Sequence, residues 1–296
     1  MVVMCQLTEK AHQAWVQFMD QSNNRGHATR DLSGPTLVTH VAACLASARL
    51  SVARIATRRG HGECRRILGV GCSTGINCLA LAERFPKAEI IGIEPEGAAL
   101  SVAQAMAAEN PAITFIQGVG ERLPLGNASV DIVVCHTVIE HVSDVHQCLS
   151  EMVRVLAHGG ILSLEAPNYR FPREPHLGIW CFPSLGKSFV RLCAKLQGKE
   201  DQNWFLDHLQ FVTTGQVTHA LRQLGCDVTD ESRSKLLLLA SGALDAEPGN
   251  AQAGKWLKLL SKLGLGHVVI KAISTFKLYP SMLLTARPSS SRDRAT

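Results

Sequence analysis

Arg65–Gly75, reading RRILGVGCSTG, has the residue types and spacing to hold a nucleotide-like ligand. An apolar run (Ile67, Leu68, Val70) leads into Gly71, Cys72, Ser73 and Gly75, and a helical run from Ile76 to Phe85 follows. That pattern is a strand, a tight glycine turn and a helix start. Helix starts present unpaired backbone N–H groups, and a glycine lets a ligand approach the backbone closely. Twenty-three residues after Gly71, a second apolar run through Ile93 ends in Glu94. An acidic residue at a second strand tip is placed to accept from the hydroxyls of a ribose. Together the turn and Glu94 point to a nucleoside-containing cofactor, which a glycine turn alone does not. The loop reads GxGxxxG rather than GxGxxG, and no Tyr-x-x-x-Lys pair exists, which counts against a nicotinamide-dependent oxidoreductase.

An alternating strand and helix pattern positions these residues. Predicted strands are Arg66–Val70, Glu89–Ile93, Ala112–Gln117, Val130–Cys135 and Ile161–Ala166. Helices are predicted between them at Gly75–Phe85, Glu96–Glu109 and from Ser143, the expected N-cap, to Leu156. Such alternation is the signature of a parallel α/β sheet with right-handed crossovers. The pattern resumes at Thr213–Gln216, a capping box opening a helix to Leu224, then a strand at Cys226–Asp230. A last strand is expected at Phe276–Arg287, and a frayed tail at 289–296. Two helices, Thr8–Gln21 and Thr36–Thr57, precede the sheet and make an N-terminal helical cap over residues 1–60.

The chain has 296 residues, enough to bury one full core, and 46% hydrophobic against 19% charged content excludes a disordered chain. The net charge of +5 is scattered, and its densest group, Arg58 to Arg66, has no interleaved aromatics. A nucleic-acid partner is therefore not expected. The ten cysteines form no CxxC pair, as reduced intracellular thiols would. No run of eighteen uncharged apolar residues and no signal-like N-terminus is present, so the expected address is cytoplasmic, without a transmembrane helix.

Six pieces in order, ILGVGCSTG (67–75), IIGIEP (90–95), GVGERLPL (118–125), SVDIVVCHTVIEHVSD (129–144), RVLAHGGILSLEAPN (154–168) and LGCDV (224–228), resemble the class I S-adenosylmethionine-dependent methyltransferase family. The likeness is to its small-molecule, ubiquinone-biosynthesis-like branch and covers about Arg65–Asp230 plus the terminal strand. It implies a Rossmann-like seven-stranded sheet, order 3-2-1-4-5-7-6 with strand seven antiparallel, over 61–288. The implied cofactor, S-adenosyl-L-methionine, lies against Gly69, Gly71, Cys72, Ser73 and Gly75, then Glu94 and Pro95. Gly118, Val119, Gly120, Glu121 and His136 complete the implied set. Three positions depart from the family. Gly69 stands where an acid is usual, Ser73 where a middle glycine is, and Val119 where a carboxylate usually meets the adenine amino group. A backbone carbonyl or Glu121 then takes that last role. These losses keep open a catalytically degraded binding protein of the same fold.

Methyl transfer from a sulfonium is an in-line displacement that needs alignment, exclusion of water and, for a hydroxyl acceptor, a proton acceptor. Histidine suits that task. His136, His141, His176 and His208 are the candidates, with His136 placed best at the carboxyl end of the fourth strand. Glu140-His141 offers two adjacent metal donors, a poor site unless folding brings His136 or His176 to complete it, so no metal is expected and Glu140 is read as a hydrogen-bonding residue at a helix start. The expected acceptor is a small apolar or aromatic molecule methylated at oxygen; N- or C-methylation is the alternative. Insertions at 169–212 and 232–275 are expected to form a substrate lid. Basic amphipathic runs at Lys187–Lys199 and around Trp256–Leu263 suit a lid helix, a peripheral membrane contact or a homodimer interface as against a monomer.

Overall fold

The computed structural model describes residues 8–24, 35–60, 62–199, 206–241 and 266–289. Five parallel strands form its centre: β1 (Arg66–Val70), β2 (Glu89–Glu94), β3 (Ile113–Gln117), β4 (Val130–His136) and β5 (Leu156–Pro167). A small hairpin, β6 (Arg173–Glu174) and β7 (Ile179–Trp180), follows β5, and β8 (Cys226–Asp230) and β9 (Ser281–Pro288) close the main sheet. Its order is β3-β2-β1-β4-β5-β9-β8, with β9 antiparallel to both neighbours. The expected topology therefore holds. Strand order reverses between β1 and β4, and that reversal opens a crevice at their carboxyl ends.

Consecutive residues of β1 point to opposite faces, yet Ile67 and Leu68 are both fully buried, because helices cover both sides. On one face Ile67, Ile132, Val134 and Ile161 pack under α2 (Pro35–Arg59) and α3 (Ile76–Arg84). On the other, Leu68, Val133 and Leu162 meet α5 (Val145–Val155) and α7 (Thr214–Gln223), with α6 (Lys187–Leu196) lying in the first insertion. Helix α1 (Glu9–Asn24) packs on α4 (Gly97–Met106) through Trp15 and Val102. Helix α2 reaches a mean hydropathy of 1.4, long and apolar enough to cross a membrane by composition, which the expectation above did not foresee. Its Leu45, Ala48, Val52 and Ile55 are buried in the domain core.

Other boundaries differ for identifiable reasons. Asp144 rather than Ser143 caps α5, accepting from the Gln147 N–H at 2.9 Å, because the Ser143 hydroxyl donates to Glu121. Strand β5 begins at Leu156, and its pairing with β4 slips around Gly159-Gly160. Residues Gly266–Phe276 form a helix (α9), so the last strand starts at Ser281. The capping box at Thr213 and Gln216 is present as expected. The first insertion has its own small core of Leu177, Ile179, Val190, Ala194, Leu206 and Leu209. The second contributes α8 (Ser232–Ser241) and α9; the run Trp256–Leu263 and the tail beyond Ser289 lie outside the described residues.

Candidate active site

The loop after β1 is held by conformations that favour glycine. Gly71 and Gly75 have φ of +61° and +77°, and a Cβ on Gly71 would stand 2.5 Å from a Val138 methyl. On Gly75 it would stand 2.9 Å from Ala103 and Phe115. Neither position admits a side chain. Ser73 is left-handed too, at φ +47°, where an L-residue carries a steric penalty of roughly 1–2 kcal/mol. Ser73→Gly is accordingly expected to stabilise the fold by about 0.5–1 kcal/mol in urea unfolding, glycine's larger unfolded-state entropy taking back part of the relief. A loss of stability would show that the serine side chain contributes to the loop.

Glu94 organises this turn. Its Oε2 accepts from the Ser73 N–H at 2.8 Å and its Oε1 from the Glu96 N–H, beyond Pro95, at 3.0 Å. Burial raises its pKa, and those two N–H donors oppose the rise. Each oxygen accepts one bond here and has a second acceptor position, which is what a vicinal diol requires. Past β3, the Gly118 N–H donates to the Glu94 carbonyl at 3.2 Å, and Val119 is exposed. Gly120 is tight, since a Cβ would lie 2.7 Å from Cys148 Sγ. Burial would raise the Glu121 pKa, but bonds from the Ser143 hydroxyl and the Ser143 and Asp144 N–H groups bring it below the usual range. Glu121 Oε1 thus holds the start of α5 in place. Cys72 is buried beside Cys78, and Gly69 lies behind them with its Cα hydrogens toward Cys78 Sγ.

His136 sits at the end of β4, as expected, and its ring Nε2 lies 3.0 Å from Ser163 Oγ. Burial lowers its pKa to about 4, Glu165 pulling it up and Arg54 and Lys235 pushing it down. The ring is neutral at physiological pH. A histidine whose folded pKa lies below its unfolded value of about 6.5 contributes stability that is complete above pH 6.5 and lost as pH falls toward 4. Wild type should lose about 2 kcal/mol from this source between pH 7.5 and 5. His136→Gln should flatten that slope in urea unfolding at the two pH values. Parallel slopes would mean that His136 does not titrate this way.

The other histidines converge elsewhere. The hairpin β6–β7 brings His176 over the β4–α5 connection, where its ring meets that of His141 at 5.1 Å in an edge-to-face contact. Fully buried Glu174 accepts from His176 Nδ1 at 2.7 Å and from the N–H groups of His176 and Leu177. The Tyr169 hydroxyl is 3.3 Å from the same Nδ1. Glu140 is fully buried and neither carboxylate oxygen has a hydrogen-bond partner; burial raises its pKa to about 7. The expected helix-start bond from Glu140 is therefore absent, and of the two histidines able to complete a donor set with Glu140 and His141, His176 is the one that approaches. Donor atoms of Glu140, His141 and His176 lie within 4.8 Å of one another. His208 is exposed and outside this group. Sequence reasoning passed over Tyr169 and Glu174, although Glu174 stands two residues before His176, a spacing that could have signalled a carboxylate–imidazole pair.

Residues 68–164 match the family model described as a methyltransferase domain. Demethylmenaquinone methyltransferase of Deinococcus radiodurans is 40% identical over 101 residues, 34% of this chain and 42% of that protein. An uncharacterized methyltransferase, YcgJ, of Bacillus subtilis is 34% identical over 120 residues, 39% and 46% of the two chains. The chain thus spans less than half the length of these curated relatives. Geranyl diphosphate C-methyltransferase of Streptomyces coelicolor, solved with Mg2+, geranyl diphosphate and S-adenosyl-L-homocysteine, superposes with a TM-score of 0.51. That likeness covers 82% of this chain and 79% of the other at 13% identity, and is one of fold.

Proposed function

We propose that this chain carries a class I S-adenosylmethionine-dependent methyltransferase domain and methylates a small, apolar or aromatic acceptor at oxygen, with S-adenosyl-L-methionine as donor. The carrying observation is the pairing of Glu94 with the left-handed turn at Gly71–Gly75. Bound, the donor supplies a methyl group already activated on a sulfonium. Glu94 would hold its ribose diol, the bare backbone of the turn would lie along its methionine portion, and Val119 would pack on its adenine. The Ser143 and Asp144 bonds occupy Glu121 Oε1, so a backbone carbonyl or Glu121 Oε2 would meet the adenine amino group.

His176 suits the proton-accepting task better than His136. Its Nδ1, donating to Glu174, leaves the Nε2 lone pair as the basic site, as in any carboxylate-braced imidazole. Alternatively Glu140, His141 and His176 would hold a divalent cation, Glu140 through two buried oxygens that accept no hydrogen bond and His176 through that same Nε2, which then takes no proton. Such a cation would lower the pKa of an acceptor hydroxyl. Tyr169, which stacks on Phe211 at 4.8 Å and touches His176, supports an apolar or aromatic acceptor beside that histidine.

Calorimetric titration tests the reading. S-adenosyl-L-methionine and S-adenosyl-L-homocysteine should both release or absorb heat at one site per chain, and NAD should not. Silence with both sulfur nucleosides overturns it.

A further inference from the structure

We propose that the outward face of α6 and the adjoining β7 turn dock on an anionic lipid bilayer. The proposal is independent of the chemistry assigned to the cleft. Leu185, Leu192 and Leu196 are 64%, 53% and 77% exposed, while Val190 and Ala194 on the opposite side of the helix are fully buried. The inward side therefore already packs on its own core, and the outward leucines are surplus to folding. Trp180 and Phe182 add 61% and 54% exposed rings. The Gln197 side chain brackets Trp180, accepting from its N–H at 3.1 Å and donating to its carbonyl at 2.8 Å. That clamp sets the indole beside the C-terminal end of α6, so ring and leucines make one surface instead of scattered exposed residues.

Charge selects the occupant. Positions 180–199 hold four basic residues, Lys187, Arg191, Lys195 and Lys199, and no acidic one, with Glu200 and Asp201 following directly, so the stretch 180–201 keeps a net charge of +2. Lys187 and Arg191 reach Asp207 and tie the helix down; Lys195 and Lys199 are exposed and stand toward its C-terminal end. Arg173 sits over the Trp180 ring, 5.8 Å from its centroid. An apolar stripe with an interfacial tryptophan and a basic border is complementary to anionic headgroups above acyl chains. Two copies meeting face to face through this surface would oppose like charges, which disfavours self-association there. The insertion follows β5, so docking would turn the carboxyl-end crevice toward the bilayer.

Sedimentation of the full chain with vesicles tests this. Vesicles of phosphatidylcholine with one-quarter phosphatidylglycerol should carry the protein down, phosphatidylcholine alone should not, and 0.5 M salt should weaken binding. Leu192→Asp with Leu196→Asp, and separately Lys195→Glu with Lys199→Glu, should each cut binding at least tenfold. Unchanged heat of S-adenosyl-L-homocysteine binding, or unchanged thermal unfolding should that ligand not bind, certifies the fold of both variants. No binding to the anionic vesicles, or binding indifferent to both pairs, overturns the proposal. So does a dimer in light scattering that the leucine variant dissociates, since the face would then be a contact between copies.

Discussion

Glu94→Ala should raise the dissociation constant for S-adenosyl-L-homocysteine by about 10- to 100-fold in calorimetry, the equivalent of roughly 1–3 kcal/mol. Two losses combine. The variant removes the charged acceptor for the ribose hydroxyls, and it also releases the Ser73 and Glu96 N–H groups that the carboxylate now gathers. Glu94→Gln separates charge and geometry from bulk. An amide keeps the size but has only one acceptor atom, so it cannot satisfy both N–H groups and must turn a donor toward one of them. It should therefore bind nearly as weakly as the alanine variant. An unchanged dissociation constant for either variant would show that the ribose is held elsewhere, and the proposed donor site would have to be abandoned.

The sheet order and the position of Glu94 were legible because both depend on short-range pattern. Alternating apolar runs and helical stripes permit few topologies, and a strand tip is where its run ends. The stereochemistry of the β1 loop was legible in part: glycines at 71 and 75 announced the turn, while the left-handed Ser73 did not. What escaped depends on contacts between distant residues. Direction at the end of β4 is an example. His136 shares a face with Ile132 and Val134, and pairs in register with Glu165, so its ring enters the side covered by α2 and α3 and meets Ser163. Parity along the strand contained that information, but position at a strand end drew the attention instead. Glu140 escaped for another reason. A helix-start hydrogen bond is a local rule, and α5 starts only at Val145 with Asp144 as its cap, while His176, more than thirty residues later, comes within 4.8 Å of the Glu140 carboxylate. Buried lysine in an apolar helix gives no signal at all until its partner is known.

That lysine carries the largest stability effect expected. Lys235→Met should cost about 3–5 kcal/mol, lowering the melting temperature by roughly 6–15 °C. Lys235 is 4% exposed on α8 and its ammonium bonds the Glu165 carboxylate on β5, itself 14% exposed. Burial would raise the Glu165 pKa, but the attraction of Lys235, then of His136 in its protonated form and of Arg54, holds it below the usual range. Without the lysine, the nearest remaining cation is Arg54, at 3.7 Å, too far for a good hydrogen bond. The penalty thus comes from stranding a buried carboxylate more than from losing an attraction. If so, Lys235→Met combined with Glu165→Gln should recover most of the loss, because a neutral amide no longer needs a countercharge. A single variant within about 1 kcal/mol of wild type would show that water reaches Glu165. A double variant no better than the single would instead mean that Lys235 contributes through packing of α8 on β9 rather than through its charge.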